Sequence, residues 1–277
     1  MFEVQVLGTE HRATALVDDV VVRGSDELEV EAYVVRPLER SPESPDGAGL
    51  VMWHWLDTEA PNGNRTQYLD EAAELASAGV VSILPQGRFP WSIPPRGAEA
   101  DAGEIRAEAA RLRMCLDVLT DRPDVDPARL GIVGHDFGGM VALVAGAEDT
   151  RATALVVVAA TPRWADWFLP FWPIADDRLD YLQALRPLDP VERIGHLVGV
   201  PILLQFAERD YYIALMSARE LQRAAPEGTE LLVYDTGHDM RLAEIRTDRR
   251  GFLARTLGIT GSVGSPSANP EDQAATT

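Results

Sequence analysis

From residue 49 to residue 257 the chain alternates short, almost unbroken apolar runs with longer stretches of helical periodicity, and that order leaves few folds open. The runs cover 49–55, 79–84, 129–134, 154–160, 200–206 and 230–234; the helical stretches cover 65–78, 104–119, 138–147, 213–225 and 241–257. A strand that is apolar throughout is covered on both faces, and strands joined through helices run parallel. The pattern predicts an α/β fold with a mostly parallel central sheet flanked by helices. Ahead of it, residues 28–37 (LEVEAYVVRP) alternate charged and apolar side chains, and 14–23 supply an antiparallel partner, which predicts an opening hairpin. Residues 40–49, rich in Ser, Pro, Asp and Gly, read as a surface loop.

Every connection is too short for a second independent domain, so residues 1–259 are expected to form one domain with a short lid at about 163–192. The lid holds WADWFLPFWP, with Trp164, Trp167 and Trp172 among the chain's six tryptophans, and reads equally as a plug over the core or as a pocket wall. The polar stretch 260–277, TGSVGSPSANPEDQAATT, is expected to be a disordered tail.

Residues 130–139, LGIVGHDFGG, carry an apolar strand into Gly134-His135-Asp136-Phe137-Gly138 and then into a helix that starts with small residues. This is the Gly-x-nucleophile-x-Gly elbow. The turn strains the backbone of its middle residue, and close packing of strand on helix leaves no room for side chains at Gly134 and Gly138. The bland alternative is a tight turn with a solvated aspartate; the flanking strand, the helix and the mid-chain position favour the elbow.

An elbow nucleophile needs a histidine, and there are five: His11, His54, His135, His196 and His238. His11 precedes the core, His135 is held in the elbow, and His196 sits in a connector. His238 follows the last strand, in YDTGHD, where its ring can reach back over the sheet edge. A carboxylate should orient it and stabilise its cation. Asp210 closes the preceding strand in FAERD and fits that role, with Glu208 and Asp235 as runners-up. The order nucleophile, acid, histidine is the one expected when the nucleophile sits on such an elbow.

With these residues named, the chain from about 28 to 258 resembles the dienelactone-hydrolase-like branch of the α/β-hydrolase superfamily. The matching stretches are VMWHW, LPQGRFPW, VDPARLGIVGHDFGG, PILLQFAERD and DTGHDM. The chain departs from that branch at Asp136, where serine or cysteine is usual, and Gly-His-Asp-Phe-Gly-Gly is similar instead to the epoxide hydrolases and haloalkane dehalogenases of the superfamily. It departs again at His54-Trp55, where the oxyanion loop commonly has His-Gly. The resemblance implies an oxyanion hole built from the N–H of Phe137 and that of Trp55 or Leu56.

A carboxylate serves acyl transfer poorly, because the anhydride it forms returns readily to reactants. Against a saturated carbon with a leaving group it works well, giving an alkyl ester that His238 hydrolyses by activating water. A halide would need N–H donors such as Trp55 or a lid tryptophan. An epoxide would need acidic hydroxyls, for which Tyr181 in the lid and Tyr211 or Tyr212 are candidates. Residues His54, Trp55, Trp91, Trp164, Trp167, Tyr181 and Tyr211 are expected to line the substrate site. The expected substrate is an epoxide of a small hydrophobic molecule. Open alternatives are a haloalkane or haloacid by the same mechanism, an ester or lactone with Asp136 as base, and ligand binding without hydrolysis.

Composition narrows the partners. Forty-four acidic against 25 basic residues give a formal charge of -19, which repels phosphate backbones and anionic lipid surfaces, so neither nucleic acid nor membrane is expected as a partner. The lid aromatics could serve a homodimer as easily as a pocket. The single cysteine, Cys115, lies in a helical stretch and reads as a buried structural thiol. No cluster has metal-ligand spacing, and no cofactor is expected. With neither a signal-like start nor a long apolar run, a cytoplasmic location is expected.

Overall fold

The unbroken apolar runs form the central strands and the alternating segments the antiparallel edge, and among the described residues they assemble into one nine-stranded sheet. The computed structural model describes residues 2–24, 28–39, 47–57 and 64–260; most of the expected loop at 40–49, and the tail beyond residue 260, lie outside the described residues. In chain order the strands are β1 (Phe2–His11), β2 (Ala15–Gly24), β3 (Glu29–Pro37), β4 (Gly47–Trp53), β5 (Val81–Pro85), β6 (Val125–His135), β7 (Ala152–Val158), β8 (Ile202–Ala207) and β9 (Glu230–Tyr234). The helices are α1 (Leu69–Ala76), α2 (Ala98–Thr120), α3 (Phe137–Glu148), α4 (Ala165–Phe171), α5 (Arg178–Leu185), α6 (Pro190–Arg193), α7 (Leu215–Ala224) and α8 (Ala243–Leu257).

The strand order is β1-β2-β3-β5-β4-β6-β7-β8-β9. β1 to β3 are antiparallel to one another, β3 is antiparallel to β5, and β5 to β9 are mutually parallel through β4. From β4 the chain first steps to β5 on one side and then to β6 on the other. Crossovers of one hand then put the connecting helices on opposite faces, and the loops after the strand ends diverge at the switch point where ligands gather. β4, β5 and β8 are almost entirely buried, as their unbroken apolar sequences require. α3 is buried from Phe137 to Gly146, which suits its nearly all-apolar sequence, and Cys115 is buried in α2.

Two features differ from the sequence expectation. β1 carries almost no burial, so no apolar face marks it; it is held by its ladder to β2, with a bulge between Val6 and Gly8. α2 starts at Ala98, six residues before the expected Glu104, because Asp101 accepts N–H bonds from Arg96 (2.8 Å) and Gly97 (3.3 Å) and ties down the first turn. Among the described residues no helix is long and apolar enough to cross a membrane.

Candidate active site

The site lies at the carboxyl ends of β4, β6, β8 and β9. β6 ends at His135, α3 begins at Phe137, and Asp136 between them has φ 54° and ψ −119°. A non-glycine residue there costs about 1–3 kcal/mol and persists only where neighbours impose it. They do so by bonding both sides of its backbone: its N–H donates to the Val158 carbonyl (2.8 Å), and its own carbonyl accepts from Met140 N–H (3.0 Å). The two glycines are required by space. A Cβ on Gly134 would lie 2.3 Å from the Gly138 carbonyl oxygen, and one on Gly138 would lie 2.5 Å from that of Trp53.

His238, in the turn after β9, faces two carboxylates. Its Nδ1 donates to Asp210 Oδ2 at 2.8 Å, and its Nε2 lies 3.8 Å from Asp136 Oδ2. The second separation exceeds a hydrogen bond. Asp210 is itself oriented by its own turn, its Oδ1 accepting from Tyr212 N–H (2.8 Å) and Ile213 N–H (3.0 Å). Burial alone would drive His238 toward its neutral form, but Asp136 and Asp210 outweigh it and push the imidazole up to about 9. Burial raises Asp136 above the usual carboxylate range, with His238 opposing.

The loop after β4 supplies the facing wall. Leu56 N–H points at Asp136 Oδ2 across 3.5 Å, and Phe137 N–H also faces this carboxylate, whereas the buried Oδ1 of Asp136 has no protein partner among the described residues. Trp55 N–H is turned elsewhere, donating to Gln67 Oε1 at 2.8 Å, so of the two expected second donors only Leu56 faces Asp136. His54 pins the loop. Gly87 N–H donates to its Nε2 (3.0 Å), which leaves the proton on Nδ1 to bond the Trp55 carbonyl (2.8 Å), and burial lowers its pKa to about 4. Trp91 Nε1–H bonds the same carbonyl at 3.1 Å. His54 and Trp91 thus hold the wall through its backbone.

Aromatic rings close the site. Trp167 stands 5.3 Å from Phe137 and 5.8 Å from His238, and Tyr212 packs on both Trp167 (5.4 Å) and His238 (5.3 Å). The Trp167 indole N–H is buried and has no partner among the described residues. Trp164 lies deeper, stacked on Phe137 with its N–H on the Leu188 carbonyl (2.8 Å). The 163–192 segment thus places Trp164 as a buried plug against Phe137 and Trp167 beside both Phe137 and His238. Among the described residues no group of three or more His, Cys, Asp or Glu is arranged to hold a metal ion.

No family model matches the chain, and no curated protein matches it in sequence. Solved structures do match in fold. An acetyl xylan esterase from a Paenibacillus species superposes with a TM-score of 0.73 at 17% identity, over 92% of this chain and 89% of that one. Acetyl xylan esterase 1 from a Thermoanaerobacterium species gives 0.69 at 16% identity, over 92% and 87%. A cold-adapted esterase from an Arctic intertidal metagenomic library gives 0.65 at 15% identity, over 90% and 97%. The chain has the α/β-hydrolase fold.

On the α/β-hydrolase fold, several residues singled out from the sequence stand away from the site. Glu208 and Asp235 are exposed, and Asp235 pairs with Arg209. Tyr181 is buried with its hydroxyl donating to Asp101 at 2.6 Å, so its proton is already engaged. Tyr211 is 89% exposed, and its neighbour Tyr212 is the one against His238, because Asp210 caps the turn between them. Gln67 has no signal in the sequence, because its importance depends on partners far along the chain.

Proposed function

We propose that this chain is a hydrolase in which Asp136, His238 and Asp210 carry the reaction, with Asp136 acting as a nucleophile at saturated carbon. The observation that carries the reading is the seating of Asp136: Leu56 and Phe137 N–H groups face its carboxylate while Oδ1 is left without a protein partner among the described residues. Oδ1 attacks, the bond from carbon to leaving group breaks with its electron pair going to the leaving group, and an ester of Asp136 remains. His238 then takes a proton from water, the hydroxide adds to the carboxyl carbon of that ester, and negative charge develops on Oδ2, which the Leu56 N–H faces. Collapse releases the alcohol, which takes the proton from His238, and the carboxylic acid left on Asp136 passes its own proton to His238, restoring the starting carboxylate and imidazolium.

The protonation states fit this order. With its pKa near 9, His238 is a cation at neutral pH and cannot act as a base. Alkylation turns Asp136 into a neutral ester and removes one of the two carboxylates that raise His238, so the imidazole becomes a base when water must be activated. For an epoxide the released proton goes to the opened oxygen; for a halide it goes to solvent. Trp167, whose N–H has no partner among the described residues, and Tyr212, packed on His238, are the groups proposed to meet the leaving group, and Tyr181, committed to Asp101, has no part in it.

Hydrolysis of an ester or lactone, with Asp136 as general base, is the second reading. The esterases similar in fold favour it, as does the resemblance to the dienelactone-hydrolase-like branch. It requires Asp136 to turn away from Leu56 so that the donors can serve a substrate oxyanion. One turnover of enzyme in excess, in ¹⁸O-water, separates the two. The nucleophile reading expects ¹⁸O in Asp136 and none in the first product; label in the product and none in Asp136 supports the base.

A further inference from the structure

We propose that Gln67 and His135 are positioning residues that hold the two sides of the site, the Trp55–Leu56 loop and the His238 turn, in fixed relation across Asp136. Their role rests on Asp136 and His238 being the reacting groups. Three hydrogen bonds make the link. Trp55 N–H donates to Gln67 Oε1 (2.8 Å), Gln67 Nε2 meets His135 Nδ1 (2.7 Å), and His135 Nε2 meets the His238 carbonyl (2.9 Å).

The ends of this relay determine its middle. A backbone N–H can only donate, so the Gln67 oxygen faces Trp55 and its NH₂ faces His135. A carbonyl can only accept, so the His135 proton sits on Nε2 and Nδ1 is left to accept from Gln67. All three bonds are satisfied together only by neutral His135 with its proton on Nε2. Burial, and the charge of His238 beside it, hold His135 well below the usual imidazole range. The Trp55 indole covers its ring, with centroids 5.4 Å apart and planes 6° from parallel.

The two anchored points adjoin the chemistry. Trp55 precedes the Leu56 N–H that faces Asp136, and the His238 carbonyl belongs to the residue whose ring does. Gln67 precedes α1 and His135 ends β6, so segments separated in sequence by 68 and 103 residues are tied into one frame. Losing the amide frees both walls.

Nitrogen-15 NMR of the imidazoles tests this without turnover, so the result stands whatever the reaction proves to be. In the unaltered protein His135 is expected as the Nε2–H tautomer, unchanged while His238 titrates near 9. Gln67→Met removes both amide bonds at similar length. It should release the fixed tautomer of His135 and move the His238 midpoint toward the ordinary imidazole value of about 6.5. Gln67→Glu can accept from Trp55 but cannot donate to His135, which should take a second proton at Nδ1. Tyr181→Phe, a change in a purely structural bond, should alter neither histidine. An Nδ1–H tautomer, or a His135 that titrates like a free imidazole in the unaltered protein, would overturn the proposal. So would a folded Gln67→Met or Gln67→Glu protein with both histidines unchanged. If Gln67→Met does not fold, the unaltered protein and Gln67→Glu still decide.

Discussion

The N–H of Leu56 lies 3.5 Å from Oδ2 of Asp136, so a donor of the loop after β4 faces the carboxyl group of the elbow residue itself. An elbow hydroxyl would leave such a donor to the substrate oxygen. On the proposed reading, with Asp136 as nucleophile, the charge that needs stabilising develops on the protein, during hydrolysis of the Asp136 ester.

The timing of His238 follows from its two carboxylates. Asp136→Asn keeps the shape of the side chain and removes its charge, leaving burial to lower His238 and Asp210 alone to raise it. The midpoint, followed by imidazole NMR, should fall from about 9 toward the ordinary range. A midpoint still near 9 would mean that alkylation of Asp136 cannot switch His238 to a base.

The same histidine ties stability to pH. Its folded pKa is above the unfolded value of about 6.5, so its contribution is full below 6.5 and is lost as pH rises through about 9. The size is up to about 3 kcal/mol, since each tenfold gain in proton affinity on folding is worth ~1.4 kcal/mol. Urea unfolding at pH 6 and pH 9.5 should show this loss in the unaltered protein and a much smaller one in His238→Gln. Equal losses in both would assign the dependence to other groups.

The elbow glycine Gly138 and the helical glycine Gly103 stand in opposite surroundings. A Cβ at position 138 meets the Trp53 and His54 carbonyl oxygens at 2.5 and 2.6 Å, and these are backbone atoms that cannot swing aside. Gly138→Ala should cost at least the ~1–3 kcal/mol of ordinary overpacking and displace the His54 loop. Gly103→Ala, in α2 with nothing within 4 Å of the added carbon, should stabilise by about 0.5–1 kcal/mol. Thermal denaturation of the two variants reads the contrast.

The framework was legible in the sequence because burial writes a pattern: strands covered on both faces became unbroken apolar runs, and the elbow needed two glycines at fixed spacing. Asp136, His238 and Asp210 could be chosen because each lies within a few residues after the end of a strand. β1 was silent because it is held by backbone bonds and buries almost nothing. Tyr211 and Tyr212 are adjacent and chemically identical, and only the turn capped by Asp210 decides which ring meets His238. Gln67 carried no signal, since its amide acquires meaning only when Trp55 and His135 stand on either side of it.

Tyr181 separates a structural hydroxyl from a reacting one. Tyr181→Phe removes the 2.6 Å bond to buried Asp101 and should lower unfolding free energy by about 1–3 kcal/mol while leaving turnover unchanged. A loss of turnover in a protein that remains folded at the assay temperature would return this hydroxyl to the reaction.

The most direct test of Asp136 as nucleophile is to block the second step and weigh the product of the first. His238→Gln, incubated separately with styrene oxide, 1-bromobutane and p-nitrophenyl acetate, is digested and the peptide containing Asp136 is measured by mass spectrometry. The predicted result is a stable added alkyl mass on Asp136 from the epoxide or the haloalkane. An unmodified Asp136 peptide from all three, together with hydrolysis of the ester by the unaltered protein, would contradict it.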